Sequence, residues 1–177
     1  MNQINLQRIT LRDTYLFALA ILVAAVAVNY YHQPNMFQLR VLNGNLRVFL
    51  PLILLAAGQT VVIIGGGIDL SVGAMVSMVN AILVTLITRD STTTEVILGI
   101  LAGCGAGMLA GALNGFCVAY LRLQPIVTTY ATSFIYAGLA LYILPRPGGS
   151  VPSDLTRLYR DTPLGVPFTA YVIVVLV

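Results

Sequence analysis

The sequence predicts an all-α protein, a polytopic membrane bundle of five complete transmembrane helices and a truncated sixth, with a broken helix at Gly65–Asp69. Three observations predict it. The 177-residue chain is 58% hydrophobic and 8% charged, with a mean hydropathy of +0.92, whereas a soluble domain is typically about one quarter charged. Its apolar residues fall into five continuous runs of about 17 to 26 residues, the length a helix needs to cross a bilayer's hydrocarbon core. The second and third runs are separated by Gly65-Gly66-Gly67-Ile68-Asp69-Leu70-Ser71-Val72-Gly73, a glycine-rich stretch carrying a carboxylate.

The first run spans Tyr15–Tyr31. Arg8 and Arg12 precede it and mimic a secretory signal, but a chain embedded throughout is expected to keep this segment as a first span. The only histidine, His32, follows Tyr30 and Tyr31. It reads as a residue at headgroup level. Without a second histidine there is no His-rich metal site and no H-E-x-x-H motif.

The second run, Val48–Ile64, is apolar except for Gln59 and Thr60, and the third covers Leu70–Thr88. Irregular backbone and charge are costly in lipid unless they pack against protein or line a pathway. Asp69 therefore has two readings. It is the N-cap of a helix beginning at Leu70, accepting an amide hydrogen at the positive dipole end, or it lines a translocation path or gate. Ser71 is expected to satisfy the same first turn. Gln59, Asn80 and Asn114 are uncharged hydrogen-bonding groups inside spans, read as interhelical contacts or as ligand contacts.

The fourth run, Val96–Leu121, carries Gly99, Gly103, Gly107, Gly111 and Gly115 at every fourth position. Such a small-residue row lets a neighbouring backbone approach closely and favours an inclined, right-handed crossing. It is read as helix packing within the subunit, with a dimer seam as the alternative. Cys104 and Cys117 lie on this helix roughly 20 Å apart along its axis, too far to bridge each other.

The fifth run, Ile126–Leu144, opens after Pro125, a residue that suits a helix start, with Thr128 and Thr129 in the first turn. From Pro145 to Pro167 the chain turns polar, with five prolines, three arginines and two aspartates, and reads as the longest extramembrane loop. A sixth run starts near Phe168 and has ten residues, so the sequence is expected to be a fragment.

All nine basic residues are arginine. They are scattered over loops and ends without aromatic interleaving, which argues against nucleic acid despite the net charge of +3. A phosphate-binding P-loop needs a lysine after its glycines, so ATP hydrolysis by that route is excluded. Asp69 is the only acidic residue near membrane depth, which leaves no relay for proton coupling.

Several segments together carry a resemblance. GGIDLSVG at 66–73, Gly111-Ala112-Leu113-Asn114-Gly115-Phe116-Cys117-Val118-Ala119, Gln124-Pro125-Ile126-Val127-Thr128-Thr129 followed by Gly138-Leu139-Ala140, and Pro147-Gly148-Gly149-Ser150-Val151-Pro152 with Leu164-Gly165-Val166-Pro167 occur in order over about residues 37 to 177. They resemble the sugar-type ABC permeases, the membrane subunits of bacterial importers for ribose, arabinose, xylose, galactose and related ligands. Ala137 stands where that family often has arginine.

The resemblance implies a permease without its own ATPase site and without a cofactor, ATP being bound by a partner subunit. It implies a second permease copy or homologue, a cytoplasmic ATP-binding subunit, a periplasmic substrate-binding protein and membrane lipid as partners, in the bacterial inner membrane. It implies a cytoplasmic N-terminus over 1–14, with 15–177 the N-terminal part of a permease domain, although the arginine count across loops runs against the positive-inside rule. The expected pathway or gate residues are Asp69, Ser71, Gly66, Gly67, Asn114, Thr128 and Thr129. The competing reading is a non-ABC carrier or a structural membrane protein.

Overall fold

The computed structural model describes residues 11–160 together with residues 169, 171, 172 and 174. The Leu164-Gly165-Val166-Pro167 segment, most of the run that begins near Phe168 and the first ten residues lie outside that description. The described chain is all-helical: α1 (Leu11–His32), α2 (Leu39–Ile64), α3 (Val72–Leu86), α4 (Thr93–Ala119), α5 (Pro125–Ile143) and α6 (Ser153–Arg160). By length and composition α2, α4 and α5 are long and apolar enough to cross a membrane, while α3 and the apolar part of α1 are shorter.

The helix limits depart from the apolar runs for local reasons. α2 starts nine residues before Val48, because Arg40, Asn43, Asn45 and Arg47 are polar yet continue the helix. Hydropathy marks the apolar portion of such a helix, not its end. α3 starts at Val72 and stops at Leu86. At 1.5 Å per residue its 15 residues span roughly 22 Å, short of the ~30 Å hydrocarbon core. α4 starts at Thr93 because Thr92 and Glu95 form a capping box, Thr92 N donating to Glu95 Oε2 at 2.7 Å and Glu95 N to Thr92 Oγ1 at 3.4 Å. α5 begins on Pro125, as the sequence predicts. The polar stretch after Pro145 is not loop throughout, since it contains a short helix, α6.

The chain forms two compact units, residues 1–46 and 47–177. In the first, Tyr30 at the end of α1 packs its ring against Phe37, centroids 5.8 Å apart. In the second, α3 packs on α5 and α4. Met78, Ala110 and Tyr136, one residue from each of these helices, form the buried centre, with Met75, Val79 and Ala106 around them.

The register of α3 against α4 is antiparallel and regular. A Cβ on Gly99 would lie 2.7 Å from Ile87 Cγ1, one on Gly103 would lie 2.9 Å from Leu83 Cδ2, and one on Gly107 would lie 3.7 Å from Val79 Cγ2. Each four-residue step along α4 matches a four-residue step back along α3. A Cβ on Gly111 or Gly115 would meet nothing within 4 Å beyond the helix itself. The buried residues of α4 are Gly99, Gly103, Ala110 and Asn114, spaced 4, 7 and 4. That is a heptad-like seam, and a strict i+4 row drifts about 40° per step away from it.

Candidate functional site

Two of the three glycines after α2 have separable jobs. Gly66 N donates to Ile63 O at 2.9 Å and Gly67 N to Val62 O at 3.0 Å, with Gly66 at φ +81°. This is a Schellman end, and its left-handed position favours glycine. Gly67 lies against the first turn of α5, where an added Cβ would sit 3.3 Å from Pro125 Cβ. Together they turn the chain and set the segment 65–71 beside α5.

Thr129 fastens that segment from the other side. Its Oγ1 accepts from Leu70 N at 3.0 Å and lies 3.3 Å from Ile68 O and 2.8 Å from Pro125 O. A backbone outside any helix is thereby supplied with partners, as buried backbone requires.

Asp69 is not the N-cap of a helix starting at Leu70. The helix begins at Val72, and Ser71 holds the N-cap position without capping through its side chain. Asp69 Oδ1 instead accepts from Ser71 N at 2.7 Å and from Ser71 Oγ at 2.6 Å, an Asx-type turn that presets the helix start. Ser71, fully buried, spends its hydroxyl donor on Asp69 and accepts from Asn114 Nδ2 at 2.8 Å. Tyr136 Oη donates to Ala110 O at 2.9 Å and lies 3.3 Å from Asn114 Oδ1. A continuous chain of polar contacts thus runs Asp69–Ser71–Asn114–Tyr136 across α3, α4 and α5.

Beside this chain lies a cleft of ≈700 Å³ between α2, α3 and α4, mostly apolar in lining. Asp69, Gln59 and Asn80 are its polar residues, and Gly107 and Gly111 form part of its wall. The residues singled out from sequence therefore separate. Asp69 borders the cleft, while Ser71, Asn114 and Thr129 form the bonded seam behind it. Thr128 lines a different hollow with Gln124 and Cys117, its hydroxyl on Gln124 O at 3.0 Å. Gly66 and Gly67 shape the end of α2. Gly99 and Gly103 pack on α3.

Tyr136 is the member of the seam that sequence reading passed over, because tyrosine in an apolar run reads as packing. A signal existed. Thr128, Thr129, Thr132 and Tyr136 recur at helical spacing and are the buried residues of α5, a polar-tipped stripe that faces protein and not lipid.

Residues 41–176 match the family described as branched-chain amino acid transport system / permease component. The chain is 41% identical over 93 residues to the galactofuranose transporter permease protein YtfT of Escherichia coli (strain K12), covering 52% of this chain and 26% of that protein. It is 33% identical over 130 residues to the autoinducer 2 import system permease protein LsrC of Escherichia coli (strain K12 / DH10B), covering 71% and 36%. Against the galactose/methyl galactoside import permease protein MglC of Escherichia coli (strain K12) the figures are 28% over 128 residues, 67% and 38%. The chain thus spans between about a quarter and two fifths of the length of these curated relatives. No solved structure matches it.

Proposed function

We propose, from the premise that the chain belongs to the branched-chain amino acid transport system / permease component family, that it forms part of the membrane-spanning subunit of a bacterial ABC importer for a small polyhydroxylated solute. The observation that carries this reading is the match over residues 41–176, which contains the whole 65–71 segment, its polar seam and the adjoining cleft. The relatives' names specify galactofuranose, galactose or methyl galactoside, and autoinducer 2. A small polar solute of the sugar type is the class we assign here.

In this reading the protein lies in the inner membrane, with residues 1–14 cytoplasmic and 15–177 belonging to a permease domain of complete spans broken at Gly65–Asp69. α1 and α3 count among those spans, α3 being extended by the segment before it. The cleft beside Asp69 is the pathway, and the seam of Ser71, Asn114 and Thr129, with Thr128, Gly66 and Gly67 shaping its ends, is the element that shifts when it opens. Helix ends beside such interruptions suit polar ligands because their backbone groups and dipoles are already in place. ATP is hydrolysed by a separate cytoplasmic subunit, solute arrives from a periplasmic binding protein, and a second permease copy or homologue completes the pathway.

The test is uptake into proteoliposomes containing the full-length permease, the partner ATPase and the binding protein. Uptake that needs ATP and all three components is the expected result. Uptake driven by a proton gradient after the ATPase is removed would overturn the assignment in favour of a carrier.

A further inference from the structure

At the end of the bundle away from Asp69, two arginines from separate elements meet over one hollow. Arg89, in the turn between α3 and α4, and Arg157, on α6, line a pocket of ≈440 Å³ together with Ser150, Val151, Ser153 and Thr156. Three hydroxyl-bearing residues and two arginines therefore border one hollow, and none of the described lining residues is acidic, although the neighbouring Asp154 pairs with Arg157.

The elements that carry these groups are fixed. Thr88 N donates to Ser91 Oγ at 3.0 Å and Ser91 N to Thr88 O at 3.2 Å, which shapes the turn bearing Arg89. Gly149, at φ +118°, approaches α3 so closely that a Cβ would run into the Val84 side chain, and this pins the loop bearing Ser150 and Val151. The far end of α6 is tied to α2, with Arg47 Nη2 donating to Arg160 O and Tyr159 Oη to Arg47 O. Arg157 itself is not locked away. Its only ion pair among the described residues is with Asp154 at 3.9 Å, and both side chains are almost fully exposed, a geometry in which an ion pair contributes little.

Arg89 sits three residues beyond the end of α3 and four before the start of α4, where apolar helices leave the hydrocarbon and meet the headgroup layer. At that depth the abundant oxyanion is the phospholipid phosphodiester. Arginine pairs with phosphate through two parallel N–H donors, and Ser150 adds a hydroxyl, those of Ser153 and Thr156 already donating to Asp154 Oδ1 and Pro152 O. The pocket is larger than a free phosphate requires, and Val151 in its wall gives an apolar contact that an esterified phosphate can use. We propose that this pocket binds the phosphodiester of a membrane phospholipid. The proposal depends on the membrane location and not on what is transported.

The experiment uses the full-length permease in nanodiscs of phosphatidylcholine with and without phosphatidylglycerol, followed by native mass spectrometry of retained lipid. Arg89→Gln and Arg157→Gln, singly and together, are expected to lower phosphatidylglycerol retention about fivefold per arginine removed. The melting midpoint should stay unchanged, since both side chains face solvent. The Arg→Lys variants should keep part of the preference, because the charge remains and the paired donors are lost. Undiminished retention by Arg89→Gln, or by the double variant, overturns the proposal. Displacement of the lipid by millimolar inorganic phosphate would also overturn it, assigning the site to a soluble phosphate compound.

Discussion

Asn114 Nδ2 donates to Ser71 Oγ at 2.8 Å, joining the C-terminal part of α4 to the start of α3 across 43 residues of sequence. The contact matters because each partner is already committed elsewhere. Ser71 donates to Asp69, and Asn114 Oδ1 lies near Tyr136 Oη. A displacement of any one group leaves another without a partner in a place that water does not reach. The interrupted segment and the bundle therefore shift together or not at all.

Replacing Asn114 by Leu should destabilise the full-length permease, but by less than a soluble core would lose. Interhelical hydrogen bonds in membranes are worth about 0.5–2 kcal/mol, because the unfolded state in lipid also finds partners. Thermal melts of Asn114→Leu, Ser71→Ala and the double variant form a cycle, and the two losses should be strongly non-additive. Simple additivity would show that this contact carries no coupling.

The glycine row should divide by position. At Gly103 an added Cβ already meets Leu83 at 2.9 Å, so Gly103→Ala should cost about 1–3 kcal/mol by overpacking and Gly103→Leu should abolish folded yield. At Gly111 there is open space in the cleft. Gly111→Leu should purify normally and lower uptake by filling that space. Equal yields for Gly103→Leu and Gly111→Leu would refute the seam.

This division marks the limit of what the sequence discloses. Continuous apolar runs made α4 and α5 legible, and Pro125 placed the start of α5 because its fixed φ suits a first turn. The 65–71 segment was legible as an interruption, since no apolar helix contains three glycines and a carboxylate without cause. What sequence does not carry is the rotation of one helix against another. An every-fourth-residue row looks like a single face, yet the heptad-like seam leaves it after Gly103. The Asx turn of Asp69 was hidden for a related reason: aspartate at position 69 fits an N-cap or a turn two residues earlier, and only the position of Ser71 distinguishes them. α6 was obscured by its flanking prolines, although Ser153-Asp154 is a helix-start signal.

Thr129 offers a test of how the interruption is held. Thr129→Val keeps the shape and removes the oxygen that accepts from Leu70 N, leaving a partly buried amide unsatisfied at about 1 kcal/mol. Thr129→Ser restores the acceptor and should recover most of the loss. Hydrogen exchange at Leu70 is the direct readout. It should quicken in the valine variant and return towards the original rate in the serine variant. Unchanged exchange in Thr129→Val would mean that the hydroxyl does not hold this backbone.

Asp69 separates a structural role from a role in transport. Its Oδ1 accepts both the Ser71 amide and the Ser71 hydroxyl, and an asparagine oxygen can accept the same two bonds while losing the charge. Asp69→Asn should therefore assemble with the ATPase and keep most of its uptake. Asp69→Ala loses both bonds and frees the buried Ser71 amide, so it should lose about 1–3 kcal/mol of local stability. The cleft gives the charge a second use, since Asp69 is the only acidic residue among the described ones on its wall, and an anionic acceptor suits a solute rich in hydroxyl donors. If that use dominates, Asp69→Asn will melt like the original protein and yet import little. The comparison to make is melting midpoint against initial uptake rate, for Asn and Ala in the same full-length permease. Because the turn uses an oxygen and not its charge, we expect asparagine to stay close to the original on both axes. An asparagine variant that is fully assembled and silent in uptake would move Asp69 from the scaffold to the pathway.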